Sequence, residues 1–446
     1  MRHSLFLFLL LQIMACSTAF GQAERRIVHL SWKNAVDMSL TDNLSLRSKT
    51  LEYDMQNLES LKSLTTFLPS VSYQGIAQHS LELPVFVFMG QRFVVGTPYT
   101  FQHSLSATLP LFAGGSRWFN HSIQSSLKKS LAEELKGKEE ETVLLSLEAY
   151  YGILLSQQLA SSAEEAVAVA RQNLEQVLKL RNAGTATELD LARAKAQYSS
   201  TLPMLEAALA NRTLSAQRMK TLLNLPLTDS LVVTDTLGQV DFLREFSTLS
   251  LEEWKTLSRE HRNDIKALEY QQEVAQTGVL LAAGQFTPTV ALVGSVDHIA
   301  PLDNGRVRWS DYIRSKSLTL SVSWPLFEGG RRVIDIQAAK VRSDHMDLMV
   351  RQARQGLELD VEQNYHTFAE ATKSLQGLRD ALDQSGESLR ISNLLYAQGM
   401  SSQLDVLNAQ LLYTKSKTEF LQGIYRSTVS QLALLRSVGV LDRIWK

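Results

Sequence analysis

The sequence predicts a mixed α and β membrane protein, in which long antiparallel α-helical coiled coils hang from a transmembrane β-barrel shared between protomers. Three observations carry this. The run Pro110-Leu111-Phe112-Ala113-Gly114-Gly115 recurs as Pro325-Leu326-Phe327-Glu328-Gly329-Gly330, an offset of 325 − 110 = 215 residues. Each run follows an alternating segment (Leu105, Ala107, Leu109; then Leu318, Leu320, Val322, Trp324), the period of a strand with unlike faces. Each also precedes a long proline-free stretch with apolar residues three and four apart, as in Leu144, Leu147, Tyr151 and Leu154.

Taken in order, the chain opens with Arg2 and His3, an apolar run from Leu5 to Met14, and Ala19-Phe20-Gly21. This pattern predicts a signal peptide over 1–21, cleaved before Gln22, and hence an exported protein. Cys16, the only cysteine, follows a poor lipobox, so it is either removed with the signal or lipidated; removal is favoured. The composition, 44% hydrophobic with a net charge of −1, allows a large core and lacks the basic excess of a nucleic-acid binder. No later stretch offers about 20 apolar residues, so the expected route into a membrane is by β-strands.

From Leu30 to Phe67 the pattern is helical and stops at Leu68-Pro69. A β-hairpin is expected over 70–109, with an apolar connection around 85–95 whose role the sequence leaves open. Proline lacks a ladder donor and Gly-Gly lets the backbone turn, so Pro110, Gly114 and Gly115 are expected to mark the junction where a strand ends and a helix begins. Pro325, Gly329 and Gly330 have the same role in the second copy. A helix of roughly 100 Å follows the first junction and turns back near Gly184, with a kink or break expected at Pro203. The first repeat is thus 22–225. Residues 226–250 read as a linker, and 251–446 as a second repeat opened by the capping box Ser250-Leu251-Glu252-Glu253. The second repeat contains a hairpin over 289–324 and a tip near Gly399.

Four strands cannot close a membrane barrel, because the smallest need eight and open edges are not tolerated in lipid. Several copies must pool their strands.

The twin junctions, the duplicated hairpins, and the tips Ala183-Gly184-Thr185-Ala186-Thr187-Glu188-Leu189-Asp190 and Gln398-Gly399-Met400-Ser401-Ser402-Gln403-Leu404-Asp405 resemble the outer membrane efflux protein family of TolC-like outer membrane factors. The resemblance covers essentially the whole chain after the signal. It implies a homotrimer in the outer membrane, four strands from each protomer, spanning into the periplasm, with the coiled coils closed into an α-helical barrel continuous with the β-barrel. It further implies a passive exit duct for efflux or type I secretion. The partners it implies are a periplasmic adaptor (membrane fusion) protein and an inner-membrane pump of RND or ABC type, with outer membrane lipid around the barrel.

The resemblance also implies adaptor docking at Gly184, Thr185, Ala186, Thr187, Gly399, Met400, Ser401 and Ser402, and a periplasmic gate containing Asp190, Tyr396 and Asp405. Helix capping explains both aspartates equally well, since Thr187-x-x-Asp190 and Ser402-x-x-Asp405 have the capping-box form. The TolC-like pattern carries an arginine and a second aspartate where this chain has Ser401 and Asn408, so the gate is expected to be looser or to be latched by other groups. No catalytic residue, metal site or cofactor is expected: the histidines are scattered and no HExxH, Walker loop, GxGxxG or GxSxG occurs. Ser125-x-x-Lys128 and Ser126-x-x-Lys129 match an acyl-serine string but lie on a helix surface without its partners. The rival reading is a structural coiled-coil envelope protein without a conduit, which would not need the alternating strands. The cargo is not legible.

Overall fold

A computed structural model describes residues 26–246 and 248–445; the expected signal peptide and Cys16 lie outside them. In chain order the elements are β1 (Ile27–Leu30), α1 (Trp32–Asp42), α2 (Leu44–Thr65), β2 (Ser70–His79), β3 (Val85–Phe88), β4 (Gln91–Val94) and β5 (Tyr99–Ala113). Then come α3 (Ser116–Asn182), α4 (Glu188–Leu222), β6 (Ser230–Val233), α5 (Leu251–His261) and α6 (Asn263–Gly284). The last are β7 (Thr289–Leu302), β8 (Ile313–Ser323), α7 (Arg331–Ala397) and α8 (Gln403–Val438). The chain divides into two compact units, one comprising Ser48–Lys138 and Arg259–Leu359, the other the remaining segments.

The first unit holds the four long strands β2, β5, β7 and β8. They form one antiparallel sheet in the order β2-β5-β7-β8, so the two expected hairpins are joined through β5 and β7. Register gives the sheet two unlike faces. Tyr73 pairs with Leu105, Leu105 with Val296, Leu109 with Leu292 and Leu292 with Leu320, making one face apolar. The other face carries the row Ser72, Ser106, Ser295, Ser317, one residue from each strand. Its hydroxyls bond across strands, Ser72 with Ser106 at 2.8 Å and Ser295 with Ser317 at 2.8 Å.

One local expectation fails here. β5 does not end at Pro110 but runs on to Ala113, with its register against β7 shifted between Pro110 and Phe112. A bulge lets a strand continue past a residue without an N–H. The apolar stretch 85–95, whose role the sequence left open, forms its own hairpin, β3 paired with β4. Beyond the second junction the expectation holds better, since β8 stops at Ser323, before Pro325.

The second unit is helical. Its core gathers Leu30, Ala35, Tyr150, Tyr151, Ile153, Leu154, Met219 and Leu223. Residues 226–250, expected as a linker, belong to it: β6 pairs in parallel with β1, and Leu231, Val233, Leu237, Val240 and Phe242 pack on the cluster. The run Leu231-Val232-Val233 is three β-prone residues, too short between Thr and Asp residues to read as a strand without its partner. The Tyr150 hydroxyl donates to the Asp235 carboxylate, and burial pushes the Tyr151 hydroxyl up to about 12 with Asp235 adding to the effect. α4 runs through Pro203 unbroken. A helix can lose one hydrogen bond and remain helical when its neighbours are satisfied.

Candidate functional site

The sheet, the strand-to-helix junctions and the helical tips are the three places where sequence pattern and geometry converge. On the sheet, β2 and β8 are exposed along their whole length, as open edges require, and carry apolar residues on one side: Val71 is 66% exposed and Leu318 76%. Aromatic side chains cluster near both ends of the strands. At one end Tyr73 donates or accepts at His103 Nδ1 (2.6 Å), His103 Nε2 meets the Tyr312 hydroxyl (2.8 Å), and Trp309 stacks on His298. Trp118, Trp324 and Phe327 are exposed at the other. Paired aromatic girdles around an apolar band are the pattern of a strand set that crosses a bilayer.

Both junctions converge on one turn, Gly284–Thr287, between α6 and β7. Gly114 (φ +61°) lies against it so closely that a Cβ would collide with the Gly284 carbonyl oxygen and approach Thr287 Oγ1 to 2.5 Å. From the second copy, Arg332 donates to the Gln285 carbonyl (3.2 Å) and to the Pro325 carbonyl, and stacks its guanidinium 5.2 Å from the Phe286 ring. Glu328 holds the same guanidinium at 3.1 Å, and Trp324 Nε1 donates to the Phe286 carbonyl at 3.0 Å. Arg117 plays the parallel part in the first copy, 5.3 Å from the Phe67 ring, with Trp118 edge-on to the same ring. Gly115, Gly329 and Gly330 also have positive φ, but among the described residues nothing lies within 4 Å of a Cβ added at Gly329 or Gly330.

The two tips are built alike. α3 closes with Gly184 N–H bonded to the Arg181 carbonyl (2.9 Å) and Thr185 N–H to the Leu180 carbonyl (2.9 Å); α7 closes with Gly399 to Tyr396 (3.0 Å) and Met400 to Leu395 (2.9 Å). These are Schellman closures, and they need the left-handed φ of +77° and +71° that glycine supplies. The next helix starts at once with a capping box. Asp190 N–H donates to Thr187 Oγ1 (3.1 Å) and the Asp190 carboxylate accepts from Thr187 N–H (3.0 Å) and hydroxyl (2.7 Å). Asp405 and Ser402 repeat the arrangement at 3.3, 2.9 and 2.7 Å. The hydroxyl bonds, then the backbone bonds, hold both carboxyls below the usual carboxylate range. Capping therefore occupies both aspartates. Ala186 is not a free loop residue: it packs on Val177, Leu191 and Ala194.

Of the three gate candidates, the chain brings two together. Burial raises the pKa of the half-buried Tyr396 hydroxyl, and the negative charge of Asp190 on the other tip adds to the rise. Among the described residues no hydrogen bond joins them, and Asp405 interacts with Ser402 alone. One residue was missed. Gln403, first in α8, is 3% exposed, and neither its amide oxygen nor its nitrogen has a hydrogen-bond partner. The counterpart 215 residues earlier, Glu188, is tied to Arg181 (2.8 Å), whereas the residue matching Arg181 is Tyr396. That missing charge pair was readable from the repeat.

Comparison with known proteins follows the same lines. The sequence model of the family described as outer membrane efflux protein matches residues 89–225 and 254–440. The chain is 22% identical over 433 residues to outer membrane protein OprJ of Pseudomonas aeruginosa, covering 93% of this chain and 85% of OprJ. It is 23% identical over 313 residues to outer membrane efflux protein BepC of Brucella suis, covering 69% of this chain but 65% of BepC, just under two thirds of that relative. Alkaline protease secretion protein AprF of P. aeruginosa is 21% identical, with 73% of this chain and 68% of AprF covered. The fold matches that of the outer membrane protein VceC of Vibrio cholerae (TM-score 0.79, 16% identity, 92% of this chain and 96% of VceC). The CmeC outer membrane channel of Campylobacter jejuni is equally similar (TM-score 0.78, 16% identity, 92% and 86%).

Proposed function

The chain belongs to the outer membrane efflux protein family, outer membrane channels rather than enzymes, and from this premise we propose that three copies form a passive exit duct for efflux or type I secretion. Each copy contributes four strands to a twelve-stranded barrel in the outer membrane and two tandem repeats of helical hairpin to a periplasmic tunnel. The observation that carries this is the sheet: four strands, one apolar face, and two edges, β2 and β8, that the chain leaves unpaired. An open edge in lipid leaves a row of backbone groups without partners, each costing several kcal/mol, on the order of what one strand contributes. Pairing β8 of one copy with β2 of the next removes both edges at once.

The tips Gly184–Thr187 and Gly399–Ser402 are the docking loops for a periplasmic adaptor, which couples the duct to an inner-membrane RND or ABC pump. Asp190 and Tyr396 act together at the gate, and Asp405 contributes charge to its rim while capping α8. The relatives named for efflux and for protease secretion keep both classes of cargo in view.

Conductance in planar bilayers tests the duct. Purified protein is expected to form channels, with larger openings when Asp190 and Asp405 are both replaced by Asn. Protein that inserts yet never conducts, in either form, would favour a structural envelope protein. Sizing in mild detergent is the independent check on assembly, and a monomer alone would contradict the shared barrel.

A further inference from the structure

Between β2 and β5 the chain makes a separate small hairpin. Val85 pairs with Val94, Phe86 with Phe93, Val87 with Arg92 and Phe88 with Gln91. Met89 and Gly90 join the arms, both with positive φ (+50° and +79°), as a two-residue hairpin turn of the I′ kind requires. Directly paired side chains share a face. Phe86, Phe88 and Phe93 therefore lie on one side, with the first two rings stacked 6.4 Å apart, and Val85, Val87 and Val94 on the other. Both sides are open: Phe86 and Val87 are each 58% exposed and Met89 is 90% exposed. Solvent on either side would favour a polar face, and this hairpin has none. Its stem is fixed by Ser80 N–H to the Pro98 carbonyl (2.7 Å) and Val95 N–H to the Pro84 carbonyl (2.9 Å).

What covers it follows from its surroundings. The hairpin is carried on β2, an open edge that abuts the next copy if the barrel is shared. The other loop at this end of the sheet, between β7 and β8, presents Asp303, Arg306 and Arg308 to solvent, and Tyr99 at the hairpin's foot pairs with Leu302 at that loop's start. This is a level of charge and water, where hydrocarbon does not reach. Glu82 and Arg92 are the only charges from Leu81 to Val95, and neither has an ion pair within the described residues. Two unlike apolar faces and one unpaired charge of each sign suit a ring. Each copy gives one face to the copy before it and the other to the copy after, a heterologous contact that a threefold rotation closes.

We infer that the three hairpins pack against one another across the outer mouth of the barrel, forming an apolar clasp of Phe86, Phe88, Phe93 and Met89. This rests on the trimeric barrel proposed above. Such a constriction gates by excluding water rather than by charge, and it is a second barrier in series with the tips.

The test uses the full-length trimer. Cys16 is the only cysteine; cleavage removes it and acylation blocks it, so Met89→Cys supplies a single reactive thiol. Spin labels at this exposed tip are expected to report one interlabel distance well below the barrel diameter. In bilayers, Phe86→Asp with Phe88→Asp is expected to raise conductance about twofold or more while the trimer persists. Labels spread as widely as the barrel rim, or quenching of a fluorophore at position 89 by brominated lipid, would overturn the clasp. Should the double variant fail to assemble, the label distance decides alone. Absence of trimer in the unaltered protein is read on the sizing column, and removes the barrel reading and the clasp with it.

Discussion

Replacing Gly114 by alanine puts the packing of the first junction to the test. The left-handed φ of +61° costs an L-residue about 1–2 kcal/mol. The new Cβ must also displace the Gly284 carbonyl and Thr287 Oγ1, which belong to the turn that Arg332 and Trp324 grip from the other side. Overpacking of a fixed backbone adds about 1–3 kcal/mol. Gly184→Ala is the matched control: its φ is +77°, yet nothing lies within 4 Å of the added carbon, so only the first cost applies. Urea unfolding in detergent, followed by tryptophan fluorescence with Trp118 and Trp324 near the junctions, is expected to show a loss for Gly114→Ala roughly twice that for Gly184→Ala. Equal losses, or a milder effect at Gly114, would refute the argument that the junction is locked on the α6–β7 turn.

Other predictions concern the tips. Asp190 and Asp405 have carboxyls held below their ordinary range, so their contribution to the caps is complete above the unfolded carboxylate pKa and disappears as pH falls through the lowered folded value. Amide exchange at residues 188–191 and 403–406 should accelerate only at pH below the ordinary carboxylate range; a change near neutrality would contradict the capping assignment. Thr187→Ala should cost the α4 start about 1 kcal/mol, measured by the same exchange. Asp190→Asn should lower the Tyr396 pKa toward the ordinary phenol value in an ultraviolet titration differenced against Tyr396→Phe, and an identical shift from Asp405→Asn would refute the pairing of Asp190 with Tyr396. Gln403→Leu should slow exchange across the second tip, because an unpartnered buried amide costs about 1–3 kcal/mol; faster exchange would show that the amide is satisfied in solution.

The parts legible in the sequence are those set by local rules. Strand alternation, the proline-free heptads, Gly184 and Gly399 at helix ends, and the Thr187 and Ser402 caps all depend on residues within a few positions of each other. What was misread depends on distant partners. β6 is a strand because β1, some two hundred residues earlier, offers it an edge, and nothing in Ser230-Leu231-Val232-Val233 announces that. Pro110 stays inside β5 because β7 accommodates the shifted register. The junction of both copies on Gly284–Thr287 was likewise invisible, since glycine at 284 reads as a helix end until Gly114 is placed against it. Gln403 lay between these cases: the repeat offered the comparison with Glu188, but only burial turns an exchange of residue type into an unpaired amide.

The self-sufficient construction of the tips bears on how such ducts change partners. Each loop is closed by bonds contained between Leu180 and Asp190, or between Ser392 and Asp405. The glycine and the Thr or Ser with its Asp make most of that closure; Met400 contributes its backbone N–H to the Leu395 carbonyl, and Ser401 its hydroxyl to the Ser392 carbonyl at 3.5 Å. Lineages can therefore redraw the loop surface, and laboratories can graft one loop onto another duct, without renegotiating the helices behind it. On the docking proposed for these loops, compatibility with a new adaptor becomes a matter of a few side chains on a fixed frame.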